Sequence, residues 1–346
     1  MLAMSRDAQP GRLPIGMATT QVTRRAHGKI NLMLSVGNAL PPEGEKAGYH
    51  PMLSWFHAID LHDMLTVTKA ASSGYEISWA SDAPRGGEID WSLEKDLAVR
   101  AHRALEAHVG KALPVAMRLE KRVPTGGGLG GGSSDAAAML LAVREVYGLD
   151  VTDETLREIA MTLGSDIAFF IDEGDRPRPA IVGGLGELIE RVAPLESDVI
   201  LVVPGFGCAT GEVYKAFDEQ RAKEMRDYEI ERALSGTKGR ERTTGPRETM
   251  VRGRVERAIK ASKIDTEDLF NDLAKPAFGV EPRLGRLVTT LSNICRSPAH
   301  VTGSGSCVFV VPEAKKVEWM MGRVAKALEA VREEVGACNV VGSKTV

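Results

Sequence analysis

The chain has 346 residues and a mass of 37.2 kDa, long enough for two domains at roughly 150 residues each, and its 43% hydrophobic and 26% charged residues supply a sizeable core and exclude wholesale disorder. Lys+Arg 44 against Asp+Glu 47 leaves a net charge of −3, so no global basic field is available for nucleic acid or an anionic membrane, and any anion must be held by local geometry. Cys208, Cys295, Cys307 and Cys338 include no C-x-x-C pair and no short Cys/His spacing, which predicts reduced, packed thiols in a cytoplasmic protein and no metal site.

Residues 1–22, rich in Gly, Pro, Thr and Gln and without a continuous apolar core, read as a disordered leader rather than a targeting segment. In Arg24–Leu34, Ile30, Leu32 and Leu34 alternate with Lys29, Asn31 and Met33, which predicts a strand. Alternation puts Lys29 and Asn31 on one side of it, two polar heads pointing into one space. A Pro- and Gly-containing loop, Leu40 to Gly48, leads to Tyr49-His50, and Met64–Thr68 reads as another strand. A helix follows around Leu97–Ala107, then a strand through Val115, Met117 and Leu119.

That strand runs into Pro124-Thr125-Gly126-Gly127-Gly128-Leu129-Gly130-Gly131-Gly132-Ser133-Ser134. Helix formers follow from Ala136 to Tyr147, and a second helix is signalled by Thr152 as N-cap and by Leu156, Ile159, Ala160 and Leu163, with Gly164 as its stop. A glycine run between a strand and a helix leaves the backbone bare where phosphate oxygens must come close, and the helix start adds unpaired N–H groups. Ser133 and Ser134 add hydroxyls for phosphate or Mg²⁺. Gly126, Gly128 and Gly131 satisfy G-x-G-x-x-G, but a dinucleotide fold needs a strand after the crossover helix, and no lysine of Walker type follows the last glycine. Beyond the Ala193-Pro194 punctuation, Val199–Pro204 reads as a buried strand. Residues 219–262, dense in Arg, Lys and Glu and interrupted by Gly236, Gly239, Gly245 and Pro246, read as a solvated excursion. The chain then offers Leu269–Leu273, a strand at His300-Val301, a second glycine cluster Thr302-Gly303-Ser304-Gly305-Ser306, a strand Val308–Val311 and a long helix, Lys316 to Val335.

Three blocks, Gly28-Lys29-Ile30-Asn31-Leu32, Pro124 to Ser134 and Thr302 to Ser306, resemble the three motifs of the GHMP kinase superfamily. Leu163-Gly164-Ser165-Asp166-Ile167 and Gly48-Tyr49-His50 narrow the resemblance to the branch that phosphorylates a cytidine-diphosphate-linked methylerythritol on the non-mevalonate isoprenoid route. The resemblance implies an α+β, two-domain fold: an N-terminal ATP-binding domain over 23–195, like ribosomal protein S5 domain 2, and a ferredoxin-like C-terminal domain over 196–346 carrying the charged insertion 219–262. It implies ATP as co-substrate with Mg²⁺, Asp166 as the base facing the substrate hydroxyl, and Lys29 beside it. Tyr49 and Tyr214 would hold the cytosine, His50 would meet its edge, and Asn31, Gly303 and Ser304 would complete the substrate side. The chain departs from the family pattern at His27-Gly28, where Pro-Ala is usual, at Ala47, and at Asp96, where an Asn commonly lies near the adenine. Two other readings stay open on sequence: a GHMP kinase for a sugar, mevalonate or homoserine, and a catalytically silent nucleotide sensor. Retention of both Lys29 and Asp166 argues against the sensor.

Overall fold

The computed structural model describes residues 20–44, 46–174, 176–235, 245–313 and 316–346, with the backbone alone at 231–235. Its N-terminal part is built on two long antiparallel strands, β1 (Gln21–Val36) and β2 (Met52–Lys69). After β3 (Gly74–Trp79) come α1 (Leu97–Val109), β4 (Val115–Lys121), α2 (Gly131–Tyr147), α3 (Asp153–Met161), β5 (Ala180–Gly184) and β6 (Leu188–Arg191). β2 is shared: its Met64–Lys69 end pairs with β4 and its Met52–Phe56 end with β5. The strand continues far upstream of the expected Met64–Thr68, and its Trp55, Phe56 and His57 do not alternate because both faces there are covered.

The second part comprises β7 (Asp198–Pro204), α4 (Thr210–Ser235), α5 (Glu248–Ala261), β8 (Phe270–Asn271), α6 (Ala274–Val280), α7 (Pro282–Cys295), β9 (His300–Val301), β10 (Val308–Val310), α8 (Val317–Ala330), α9 (Arg332–Val335) and β11 (Cys338–Lys344). Among the described residues these strands form a four-stranded sheet, β11-β7-β10-β9, beside a seven-stranded sheet whose main path is β3-β4-β2-β1-β8. The sheets divide between Arg191 and Asp198, and we propose the domain boundary near 195 on that basis. The chain nevertheless crosses back, since β8 pairs in parallel with β1 at Met33–Phe270 and Leu34–Asn271.

Three apolar layers result. Helices α1–α3 cover one face of the first sheet through Leu105, Met139, Leu140 and Leu156. α4, α6, α7 and α8 cover the outer face of the second through Val213, Ala277, Leu287 and Val324. Between the sheets, Ile30, Leu32 and Trp55 meet Leu201, Val203 and Phe309. β1 is therefore buried on both faces from Ala26 to Val36, which leaves Lys29 and Asn31 as polar groups inside an otherwise apolar wall.

Four expectations change. Gln21 and Val22 belong to β1, with Val22 buried, so only residues 1–19 of the expected leader lie outside the described chain. Residues 210–235 and 248–261 are helices rather than an irregular excursion, and α5 buries Val251 and Val255 in the layer between the sheets; Gly236 and Gly239 lie outside the described residues. The helix expected from Ala136 already begins at Gly131. The helix expected over 316–335 breaks at Val331 into α8 and α9. No helix among the described residues is long and apolar enough to cross a membrane.

Candidate active site

The glycine run leaves β4 at Lys121 and enters α2 at Gly131, with Gly130 as N-cap in the left-handed region at φ 69°. Gly131, Gly132, Ser133 and Ser134 are thus the first turn of the helix, where orphan N–H groups concentrate. The run is pinned from three sides. Lys29 N donates to Leu129 O (2.8 Å) and Cys307 N to Gly127 O (3.1 Å), and Arg85 donates to Thr125 O while also reaching Pro204 O and Phe206 O. Pro124 and Leu129 turn their side chains into the interior, while Thr125 and Gly126 face solvent. Close packing against the second glycine cluster requires glycine at 128: at φ 77° a Cβ there would stand 2.1 Å from Thr302 O. A Cβ on Gly303 would lie 3.2 Å from the backbone of Gly128. The two glycine clusters, some 170 residues apart in the chain, interlock.

Lys29 projects beside this loop, and a Cβ on Gly130 would lie 3.1 Å from its Cγ. Its ammonium donates to Asn31 Oδ1 at 2.8 Å, lies 3.3 Å from Asp166 Oδ2, and sits over the Phe56 ring at 4.6 Å. Asn31 is fixed in turn, giving Nδ2–H to Ser54 Oγ (2.9 Å) and receiving the Thr302 hydroxyl at 3.3 Å. Ser54 donates its own hydroxyl to Met33 O. Asp166 lies after α3, where a turn cap is the simplest role for it. It caps neither neighbour: α3 ends at Thr162, and the 3₁₀ turn Ala168–Phe170 has no side-chain cap. Its ion-pair partner is Lys29.

Next to Asp166 opens a cleft of about 320 Å³ lined by Ala47, Gly48, Tyr49, His50, Ser165 and Tyr214 among others. Tyr49 is exposed, and Tyr214 is half-buried against His50, ring centroids 4.9 Å apart. Burial, reinforced by the negative charge of Asp166, pushes the Tyr214 phenol up to about 12, so the phenol and the carboxylate share one electrostatic space. His50 points Nδ1 at Gly37 O (3.0 Å) and Nε2 at Asp218 Oδ2 (3.4 Å). It lines the cleft beside Tyr214, where the resemblance expects it to meet the edge of cytosine. Gly303 reaches the site through its contact with Gly128, and the Ser304 hydroxyl is engaged with Thr210 Oγ at 3.0 Å.

Several contacts here escape sequence reasoning. Lys121, at the end of β4, bridges Asp63 of β2 and Asp135 of α2, all three buried. Asp63 also accepts from Val123 N at 2.7 Å, so the cluster fixes both ends of the glycine loop. Burial pushes the Asp135 carboxyl well above the usual range against the pull of Lys121. Asn271 donates from Nδ2 to Val301 O (2.8 Å) and Gly303 O (2.7 Å), holding the second cluster. Asp96 is the N-cap of α1, accepting from Ala98 and Val99 N–H and from Trp91 Nε1, which commits its carboxylate to the protein.

A seven- and a four-stranded sheet around a glycine loop at a helix start, with a lysine–aspartate pair beside it, define a small-molecule kinase of the GHMP class. Residues 96–174 match the family of GHMP kinases N terminal domain. The chain is 31% identical over 300 residues to the 4-diphosphocytidyl-2-C-methyl-D-erythritol kinase of Mycolicibacterium gilvum, covering 86% of this chain and 84% of the relative. It is 30% identical over 304 residues to that of Desulfitobacterium hafniense, covering 87% and 90%. A crystal structure of 4-(cytidine 5'-diphospho)-2C-methyl-D-erythritol kinase superposes with a TM-score of 0.66 at 28% identity, over 94% of this chain and 100% of that one. Homoserine kinase from Cytophaga hutchinsonii shares the fold, at a TM-score of 0.62 and 12% identity over 97% of each chain. The chain belongs to the 4-diphosphocytidyl-2-C-methyl-D-erythritol kinase family.

Proposed function

We propose that this protein transfers the γ-phosphoryl group of ATP to the 2-hydroxyl of 4-diphosphocytidyl-2-C-methyl-D-erythritol, releasing ADP, as a cytoplasmic step of non-mevalonate isoprenoid precursor synthesis. The observation that carries this reading is the 3.3 Å approach of Lys29 to Asp166 between the glycine loop and the tyrosine-lined cleft. The four free cysteines are compatible with a reducing compartment.

A carboxylate is too weak a base to strip an alcohol in advance. Asp166 orients the hydroxyl and receives its proton late, as the loose phosphoryl transition state develops. Lys29, held by Asn31, steers the charge gathering on the γ-phosphoryl oxygens. The backbone N–H groups of Gly126–Gly132 and the start of α2 cradle the phosphates. Tyr49 and Tyr214 flank the pyrimidine, with Gly303 and Ser304 behind the loop.

For Mg²⁺ the fit is one of hard oxygen donors. Asp135, the carboxylate in the first turns of α2, is taken by Lys121, which leaves the Ser133 and Ser134 hydroxyls, with Asp166 across the site, as protein oxygens beside the phosphates. A cation that keeps waters and binds mainly through phosphate suits that donor set. When bound, Mg²⁺ supplies charge neutralisation on the phosphate oxygens.

Coupled measurement of ADP release with the cytidine diphosphate substrate, mevalonate, homoserine and a hexose tests the assignment. Turnover with the cytidine compound alone is the expected result. Turnover with one of the others overturns the substrate, and ATP binding without turnover on any substrate favours the sensor reading.

A further inference from the structure

Just ahead of Lys29, β1 and β2 bring together three side chains that no part of the kinase reading uses. His27 of β1 stands opposite His62 of β2 in register, and Asp60 lies two positions before His62. Strand geometry puts i and i+2 on one side and a directly opposite residue within about 5.5 Å. Taking one ligand atom from each, the three atoms lie within 4.8 Å of one another, and the two rings have centroids 5.2 Å apart. The spacing hides this in the sequence, since His27 is remote from the other two along the chain and the sequence reading assigns the histidines no metal.

The hydrogen bonds select the ligand atoms. His27 Nδ1 meets Ile59 O at 2.8 Å and His62 Nδ1 meets Asp60 O at 2.6 Å. A carbonyl oxygen only accepts, so both Nδ1 atoms carry the proton and both Nε2 atoms carry a lone pair. That is the arrangement of a metal-ligating histidine, whose other ring nitrogen donates to a carbonyl. His27 is 1% exposed, yet its Nε2 is buried without a hydrogen-bond partner among the described residues. A buried lone pair of this kind is costly unless something fills it.

We propose that His27, Asp60 and His62 form a binding site for a divalent transition metal of the zinc type. Two imidazoles and one carboxylate suit Zn²⁺ or Co²⁺ far better than Mg²⁺. Metal–ligand bonds of about 2.0–2.2 Å place tetrahedral ligand atoms roughly 3.4 Å apart, so atoms that now lie within 4.8 Å of one another must draw closer. Exposed Asp60 and half-buried His62 can do so by side-chain rotation. Exposed Arg176 also bears on His27 and opposes a cation there, which limits the affinity. Register between the strands shifts between His27 and Lys29, so a bound ion clasps the two strands at the irregularity just ahead of Lys29.

Calorimetric titration of the full chain with ZnCl₂, in the presence of Mg²⁺, provides the test. One Zn²⁺ per chain is expected, with affinity at least tenfold weaker in His62→Ala and in Asp60→Asn. Both substitutions fall on accessible side chains whose loss leaves the core intact. The thermal midpoint of the parent should rise with Zn²⁺, and that of His62→Ala should rise much less. Absence of binding in the parent overturns the proposal. Equal affinity in all three proteins does so too, because it places the ion elsewhere, on a thiol for instance.

Discussion

Lys121 and Asp135 meet inside the protein, the ammonium donating to Oδ2 of the carboxylate where β4 ends and α2 begins. The same ammonium holds Asp63 at 2.5 Å. One lysine between two buried carboxylates is therefore the fastening of the glycine loop. Removing the cation leaves two buried carboxyl groups without their partner, which typically costs about 3–5 kcal/mol. Lys121→Met should lower stability by that order in denaturant titration. Lys29→Ala should cost less, because Lys29 has one carboxylate partner rather than two and that partner, Asp166, keeps access to solvent. Equal and small losses in both variants would show that the buried cluster is not the fastening.

Substrate selection should rest on Tyr214. Stacking of a base on an aromatic ring contributes about 1–3 kcal/mol, which corresponds to roughly 5- to 150-fold in affinity. Tyr214→Ala should raise KM for the cytidine substrate by that order and leave KM for ATP nearly unchanged. Parallel increases in both constants would return Tyr214 to a packing role against His50.

Acid should destabilise the fold through buried histidines. Burial lowers His57 from 6.5 to about 3 and His300 to about 4. Each is neutral in the fold and protonated in the unfolded chain between those values, so stability is lost as pH falls below 6.5. For His57 the loss reaches about 2 kcal/mol at pH 5. Unfolding of His57→Phe should depend on pH less steeply than the parent, by about that amount between pH 7 and 5. Parallel profiles would contradict the assignment.

Much of the first sheet and the glycine loop was legible because local rules coincide there. Val115, Met117 and Leu119 alternate on a half-covered strand, and the glycines sit where a strand hands over to a helix. Lys29 and Asn31 were readable as neighbours because period two puts them on one side, and their 2.8 Å contact follows from it. Only one end of β2 shows in the sequence because Trp55 to Ala58 is covered on both faces, which erases alternation. α5 does not stand out because a charged surface face masks the pair Val251 and Val255. The cluster of Asp63, Lys121 and Asp135 is joined by sheet register and burial, and no short window of sequence contains it. Asn271 was invisible for the same reason: β8 is two residues long, and its role depends on a return to β1.

The central claim is that Asp166, facing Lys29, takes the substrate proton. Asp166→Asn keeps the size of the side chain and removes the acceptor and its charge. The decisive measurement is kcat for ADP release from ATP and the cytidine diphosphate substrate in this variant, with ATP affinity determined alongside. A fall of about 10²–10⁴-fold in kcat with ATP binding retained is the predicted result. A kcat within about threefold of the parent would contradict the claim and leave catalysis to positioning by the loop alone.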